Sequence, residues 1–193
     1  MKQVQPLWRV LARTITHLLS PAGVAAVVFI AVPLLQGEGT RAGLVALGIY
    51  VVFPVALVGW VKAAWAISDV YDPGPRIRSR ILGLGNAIYL VGFFTLTLIK
   101  AGPVLRWSSA SFLVGASLVW LISRAWKISI HAVGVGGGVV ILMVVGGPTL
   151  WPVIVAPLVV GWARLRLGAH TIPQLLAGSA LGAGVSGALL PLF

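Results

Sequence analysis

Two short polar islands interrupt an otherwise apolar chain. One is Lys127-Ile128-Ser129-Ile130-His131; the other is Arg164, five intervening residues, and His170. Each joins one imidazole to at least one cation at the mouth of an apolar segment. Cations neutralise the oxygens of a phosphate, and an imidazole beside them moves protons or attacks phosphorus. Two of the chain's three histidines fall in these islands. The pattern points to phosphoryl chemistry at a membrane surface.

The elements that position such islands follow from composition. Of 193 residues, 59% are hydrophobic, and mean hydropathy is +1.05. That much apolar surface excludes an ordinary soluble domain and implies an integral membrane protein. The expected architecture is all-α: a polytopic transmembrane helical bundle with six or seven spans plus an N-terminal interfacial amphipathic helix. Apolar runs lie near residues 21–36, 43–66, 81–100, 108–124, 131–147, 149–163 and 173–193, each close to the length a helix needs to cross hydrocarbon. They are too long and too little alternating for strands. Residues 1–20 form a separate unit ahead of the transmembrane domain at 21–193. In it Arg9, Arg13 and His17 recur every four residues opposite Leu7, Val10, Leu11, Ile15 and Leu18, so it reads as a helix in the headgroup zone, not a cleaved leader.

Fourteen Lys and Arg face three acids, Glu38, Asp69 and Asp72, giving a net charge of +11. Basic loops anchor to anionic headgroups, and the same field draws in a phosphate. With no long soluble basic patch, a nucleic-acid partner is not expected. The absence of cysteine excludes disulfides, thiol catalysis and cysteine metal sites. The eight tryptophans fall near span ends, as in an aromatic belt. Gly134-Val135-Gly136-Gly137-Gly138 follows no strand, so it reads as close helix packing, as does the Gly178/Gly182 pair. Such small-residue faces also suit contact with a second copy or with a larger membrane complex.

Parity brings the islands together. Two spans separate the 69–80 segment from Lys127, and two more separate His131 from Arg164. An even number of crossings returns the chain to the same side. Arg76, Arg78, Arg80, Lys127, Ser129, His131, Arg164 and His170 are therefore expected on one face, with the N-terminal helix beside them and the C-terminus opposite. Lys2, Arg9, Arg13, Arg124 and Arg166 share that face, against Arg41, Lys100 and Arg106 on the other. The positive-inside bias makes the site face cytoplasmic, in a multi-pass protein of the cell (inner) membrane.

These residues resemble the type 2 phosphatidic acid phosphatase family, which is similar in its core to vanadium-dependent haloperoxidases. The family carries a Lys/Arg block, a Ser-Gly-His block and Arg-x5-His-x3-Asp. Here the second stands as Ser129-Ile130-His131. The third stands as Arg164-x5-His170, followed by Leu175-Leu176-Ala177-Gly178, its most specific part. The first is a loose match in Asp69-Val70-Tyr71-Asp72-Pro73-Gly74-Pro75-Arg76-Ile77-Arg78-Ser79-Arg80, and the likeness covers about residues 69–185. It implies a membrane phosphatase acting on a lipid or isoprenoid phosphate or diphosphate through a phosphohistidine. His170 would attack phosphorus and His131 would protonate the leaving oxygen. Arg164, Lys127, Ser129 and one or more of Arg76, Arg78 and Arg80 would hold the phosphate. No metal and no cofactor are implied.

Three positions depart from the family. Ile130 replaces its glycine, Asp69 stands seven residues before Arg76 where a lysine is usual, and Gln174 takes the place of the acid that orients the nucleophile. A glutamine amide oxygen accepts the imidazole N–H without supplying charge. These departures define the alternative: a catalytically degenerate, phosphatase-like lipid-binding or structural subunit of a membrane complex. Asp69 and Asp72 also raise Mg²⁺-diphosphate binding as a third reading, or Asp69 or Asp72 as a stand-in for the missing acid.

Overall fold

Helix boundaries follow caps that the sequence displays. The computed structural model describes residues 6–65 and 74–193, so Asp69 and Asp72, with the start of the loose first block, lie outside the described residues. Helix α1 spans Leu7–Leu18 and α2 spans Pro21–Gln36. Between them Ser20 caps α2, its Oγ accepting from Gly23 N–H at 3.1 Å, and Pro21 occupies the first turn, where no N–H is needed. Gly37, at φ 66°, ends α2 in the left-handed region where only glycine is unstrained. Helix α3 (Thr40–Leu47) passes through a π-helical turn at Gly48–Val52 into α4 (Phe53–Ala64).

Helices α5 (Pro75–Leu98) and α6 (Pro103–Ile122) each open on a Gly-Pro pair. The first turn of α6 is capped from a distance: the two Glu38 carboxylate oxygens accept from Val104 and Leu105 N–H, both at 2.8 Å. An anion at a helix N-terminus meets the positive end of the dipole. A Cβ at Gly102 would collide with that carboxylate, so glycine is what lets Glu38 approach.

Helix α7 is Ile130–Gly146, a 3₁₀ stretch follows at Gly147–Val155, then α8 (Ala156–Arg166), α9 (Ile172–Leu189) and a last turn at Leu190–Leu192. Among the described residues no strand occurs. The whole is an all-helical transmembrane bundle. Five helical stretches are long and apolar enough to cross a membrane, and α1 with α2, bent by 49°, adds a sixth when the pair is counted as one broken span. One of the five, Ile130–Arg166, runs to 37 residues. As one straight helix it would hold Arg164 about 50 Å from His131, at 1.5 Å per residue. Both line one cavity instead, because the chain reverses at Gly147 (φ 58°). Counting both arms of that hairpin, six or seven passes are present.

Glycine sets the closest helix contact. A Cβ at Gly136 would strike the Ser179 carbonyl, one at Gly182 the Val133 carbonyl, and one at Gly178 the Ser129 carbonyl. Side-chain-free positions on both partners thus let the α7 and α9 backbones touch. The other side of the glycine run meets α2, where Gly138 abuts Val24. In the core, Phe29, Tyr50, Tyr89 and Phe112 form an aromatic cluster, with Phe29–Tyr50 ring centres 4.7 Å apart and Tyr50–Tyr89 4.9 Å apart. The Tyr50 hydroxyl donates to the Tyr89 carbonyl at 3.1 Å.

The tryptophans are not all at the surface. Trp60 and Trp151 are exposed, as a belt requires, but Trp107 is only 1% exposed and donates its Nε1–H to the Ser186 carbonyl at 2.9 Å. A tryptophan near a helix end can face its neighbours as readily as lipid, and span position alone does not distinguish them.

Candidate functional site

His131 is the second residue of α7 and is 3% exposed. Its helix starts there because Ser129 caps it, Oγ accepting from Ala132 N–H at 3.3 Å. The α7–α9 glycine seam and a Ser129 N–H to Gln174 carbonyl bond at 3.4 Å hold this N-terminus against the start of α9.

The Arg-x5-His island closes on itself through a helix C-terminus. Arg164 lies in the last turn of α8, where a cation suits the negative end of the dipole. Gly168, at φ 65°, turns the chain, and Ala169 N–H donates back to the Arg164 carbonyl at 3.0 Å. The next residue, His170, is thereby folded over the arginine. Arg164 Nε and Nη2 both stand 3.4 Å from His170 Nδ1. A guanidinium only donates, so Nδ1 accepts and the ring proton of a neutral His170 sits on Nε2.

Gln174 does not reach that imidazole in this arrangement. Its Oε1 accepts from Thr171 N–H at 3.1 Å, completing a capping box at the start of α9. The group on Nδ1 of His170 is Arg164.

Of the three first-block arginines, Arg78 alone lines the cavity. Its Nη2 donates to the Ile128 carbonyl at 2.7 Å, tying the first turn of α5 to the segment ahead of α7. Arg76 and Arg80 are exposed. Residues two apart on a helix differ by about 200° around its axis, so one side chain of the three faces inward when its neighbours face out. Lys127 is half-buried in the connection before α7, and neither it nor the buried Ser129 lines the cavity.

The cavity holds about 580 Å³. Arg78, His131, Arg164 and His170 define its polar end. From there it follows α7 past Gly134, Gly137 and Gly138 to Ile141. Ten residues of helix make that path about 15 Å long. Phe112 and Gly115 of α6 and Pro54, Val55 and Val58 of α4 supply other apolar walls. The shape suits an amphiphile: one polar head against cations and imidazoles, one apolar body among helices.

Two further residues reach this cavity from outside the sequence islands: His17 of α1 and Lys62 of α4. All three histidines of the chain therefore border one space. Helix α1 is held by its buried Ala12 and Thr16 and packs on α8, which carries Arg164. The sequence holds one clue to Lys62, a cation in the last turn of an otherwise apolar helix. His17 carried the amphipathic pattern of an interfacial residue; parity put its helix on the site face, but nothing in the sequence put the side chain in the site. Among the described residues no group of three or more His, Cys, Asp or Glu side chains could hold a metal ion.

No protein-family model, no curated protein and no solved structure matches this chain.

Proposed function

We propose that the protein is a membrane lipid phosphatase that hydrolyses a phosphomonoester or diphosphate of a lipid or isoprenoid through a phosphohistidine. One observation carries the reading: two imidazoles and two guanidinium groups, from α5, α7, α8 and the α8–α9 turn, border the polar end of an elongated apolar cavity. Ionisable groups inside a membrane bundle are costly and mark functional sites by default. A phosphate at this end would meet fixed donors on several sides, and its chain would follow α7 into the bundle. The resemblance to type 2 phosphatidic acid phosphatases rests on the same residues. It assigns attack on phosphorus to His170 Nε2, with the P–O bond to the lipid breaking and His131 giving its proton to the departing oxygen. Water would then hydrolyse the phosphohistidine. In that cycle Arg164 turns from Nδ1 to the phosphate, which frees the ring to carry its proton on Nδ1.

The excess of cations on the site face supports a cytoplasmic orientation in the cell (inner) membrane. The test is phosphate release from lipid phosphates by the purified full chain in nanodiscs. His170→Ala is expected to abolish release and His131→Ala to lower it by about a hundredfold or more, the usual scale of general acid catalysis. Vanadate is expected to inhibit. Undiminished release by both variants would sink the reading.

A second reading has its own support. Gln174 is engaged as a helix cap, and Arg164 stands at His170 Nδ1, the ring nitrogen that an orienting acid would take. On this reading the site binds the lipid phosphate without turnover, as a lipid-holding or structural subunit. It predicts binding of a lipid phosphate that His170→Ala weakens, no phosphate release, and stoichiometric partners on purification.

A further inference from the structure

Below its charged end the cavity meets neutral hydroxyls. Ser111 of α6 is 6% exposed and lines the cavity, and its Oγ has no hydrogen-bond partner among the described residues. Other hydroxyls in these spans satisfy themselves: Thr95, Thr97 and Ser117 each donate to the carbonyl four residues back, at 2.8 Å. A hydroxyl left unpaired in hydrocarbon is costly. Ser186 of α9, 1% exposed, borders the cavity beside Gly137, where an added Cβ would stand 3.0 Å from its Oγ. Ser111 lies at the same depth. A Cβ at Gly115 would stand 3.6 Å from Val133 Cγ1, and α6 runs toward the site whereas α7 runs away from it. One turn further from the site, α6 reaches Ser111 and α7 reaches Gly137. Gly137 is six residues beyond His131, about 9 Å along the helix. Both hydroxyls therefore stand against the body of a bound amphiphile, not its head.

We propose that Ser111 and Ser186 form a neutral hydrogen-bonding subsite inside the bundle, so that the preferred ligand carries an oxygen, hydroxyl or carbonyl, on its chain below the phosphate. This rests on the lipid-phosphate reading of the cavity. Phosphorus stands about 3 Å from the attacking nitrogen, so the oxygen falls about 6 Å beyond it, near the fifth carbon of an extended chain. A serine hydroxyl donates to either kind of oxygen and also accepts from a hydroxyl proton. A chain of hydrocarbon alone leaves Ser111 unpaired in a closed, dry complex. A site built around a hydrogen bond disfavours the ligand that lacks it more strongly than an apolar wall sorts chains by size.

The experiment measures binding of dodecylphosphonate to the full chain in zwitterionic nanodiscs, beside analogues with a hydroxyl or a keto oxygen on the fifth carbon. A further analogue carries its hydroxyl next to the terminal methyl. Affinities are expressed per mole of probe in the bilayer, so that partitioning cancels. The wild type is expected to bind at least one fifth-carbon analogue about fivefold more tightly than the plain chain, the scale of one net hydrogen bond, and the larger gain tells hydroxyl from carbonyl. The terminal hydroxyl should give no gain. Ser111→Ala and Ser186→Ala are each expected to shrink the ratio and the double variant to abolish it, with melting temperature showing that the variants fold. Ser186→Ala keeps the carbonyl that holds Trp107 Nε1–H. Ser108→Ala, at a buried hydroxyl that is also unpaired but does not line the cavity, should keep the full ratio. No gain in the wild type, an equal gain from the terminal hydroxyl, or a ratio that survives in the double variant would overturn the subsite and leave the lipid-phosphate reading standing. Failure of every probe to bind the wild type would overturn both.

Discussion

His170 is the residue on which the two functional readings divide. Its Nδ1 faces Arg164, and its tautomer follows from that contact. Arg164→Gln is expected to weaken lipid-phosphate binding by tenfold or more, about 1.4 kcal/mol, because a buried charged donor is lost. Arg78→Ala should do the same, while Arg76→Ala and Arg80→Ala should stay within about twofold, since those side chains point outward. Titration with a lipid phosphonate checks all four. Gln174→Ala separates a capping from an orienting role: loss of the cap is expected to cost about 1 kcal/mol of stability with little change in binding. A large fall in binding or turnover with unchanged melting temperature would instead make Gln174 a partner of the imidazole. The Arg-x5-His spacing was legible because it obeys a local rule, a helix end plus a glycine turn. Which arginine of the first block faces inward was not, because that depends on where α5 starts and how it is rotated.

Among the elements, the α7–α9 seam places His131 beside His170. Gly182→Val or Gly136→Val would drive a side chain into a neighbouring carbonyl. Either is expected to cost about 1–3 kcal/mol and lower the melting temperature followed by tryptophan fluorescence. Activity or ligand binding should fall in the same variants, since the two imidazoles would separate. Gly184→Ala, in open space on the same helix, is the control and should be nearly silent. The Glu38 clamp lies at the other end of the bundle, on the α6 N-terminus. Glu38→Ala is expected to cost about 1–2 kcal/mol without altering ligand affinity. The glycine pattern foretold close packing of α7, but it did not name the partner helix. Small residues permit contact on any side, and the observed run serves α9 on one face and α2 on another.

For the whole molecule, topology is the expectation most open to direct measurement. The chain has no cysteine, so single introduced cysteines report sidedness without background. Arg13→Cys, Arg124→Cys and Arg166→Cys are expected to react with an impermeant thiol reagent from the cytoplasmic side. Arg41→Cys and Lys100→Cys should react only from the other. Mixed labelling within either set would break the even-crossing arrangement.

Sequence alone determined that the chain is a membrane helical bundle, because burial of polypeptide in hydrocarbon demands long apolar runs with internally satisfied backbone, and such runs are countable. It also determined that the two polar islands share a side, because parity depends only on crossings. What joins them into one cavity was decided by tertiary structure. The glycine seam and the arrival of His17 and Lys62 are contacts between residues distant in the chain, whereas the turn at Gly146-Gly147-Pro148 is local and legible in the sequence. Helical periodicity records which residues share a face of one element, but not which other element that face will meet.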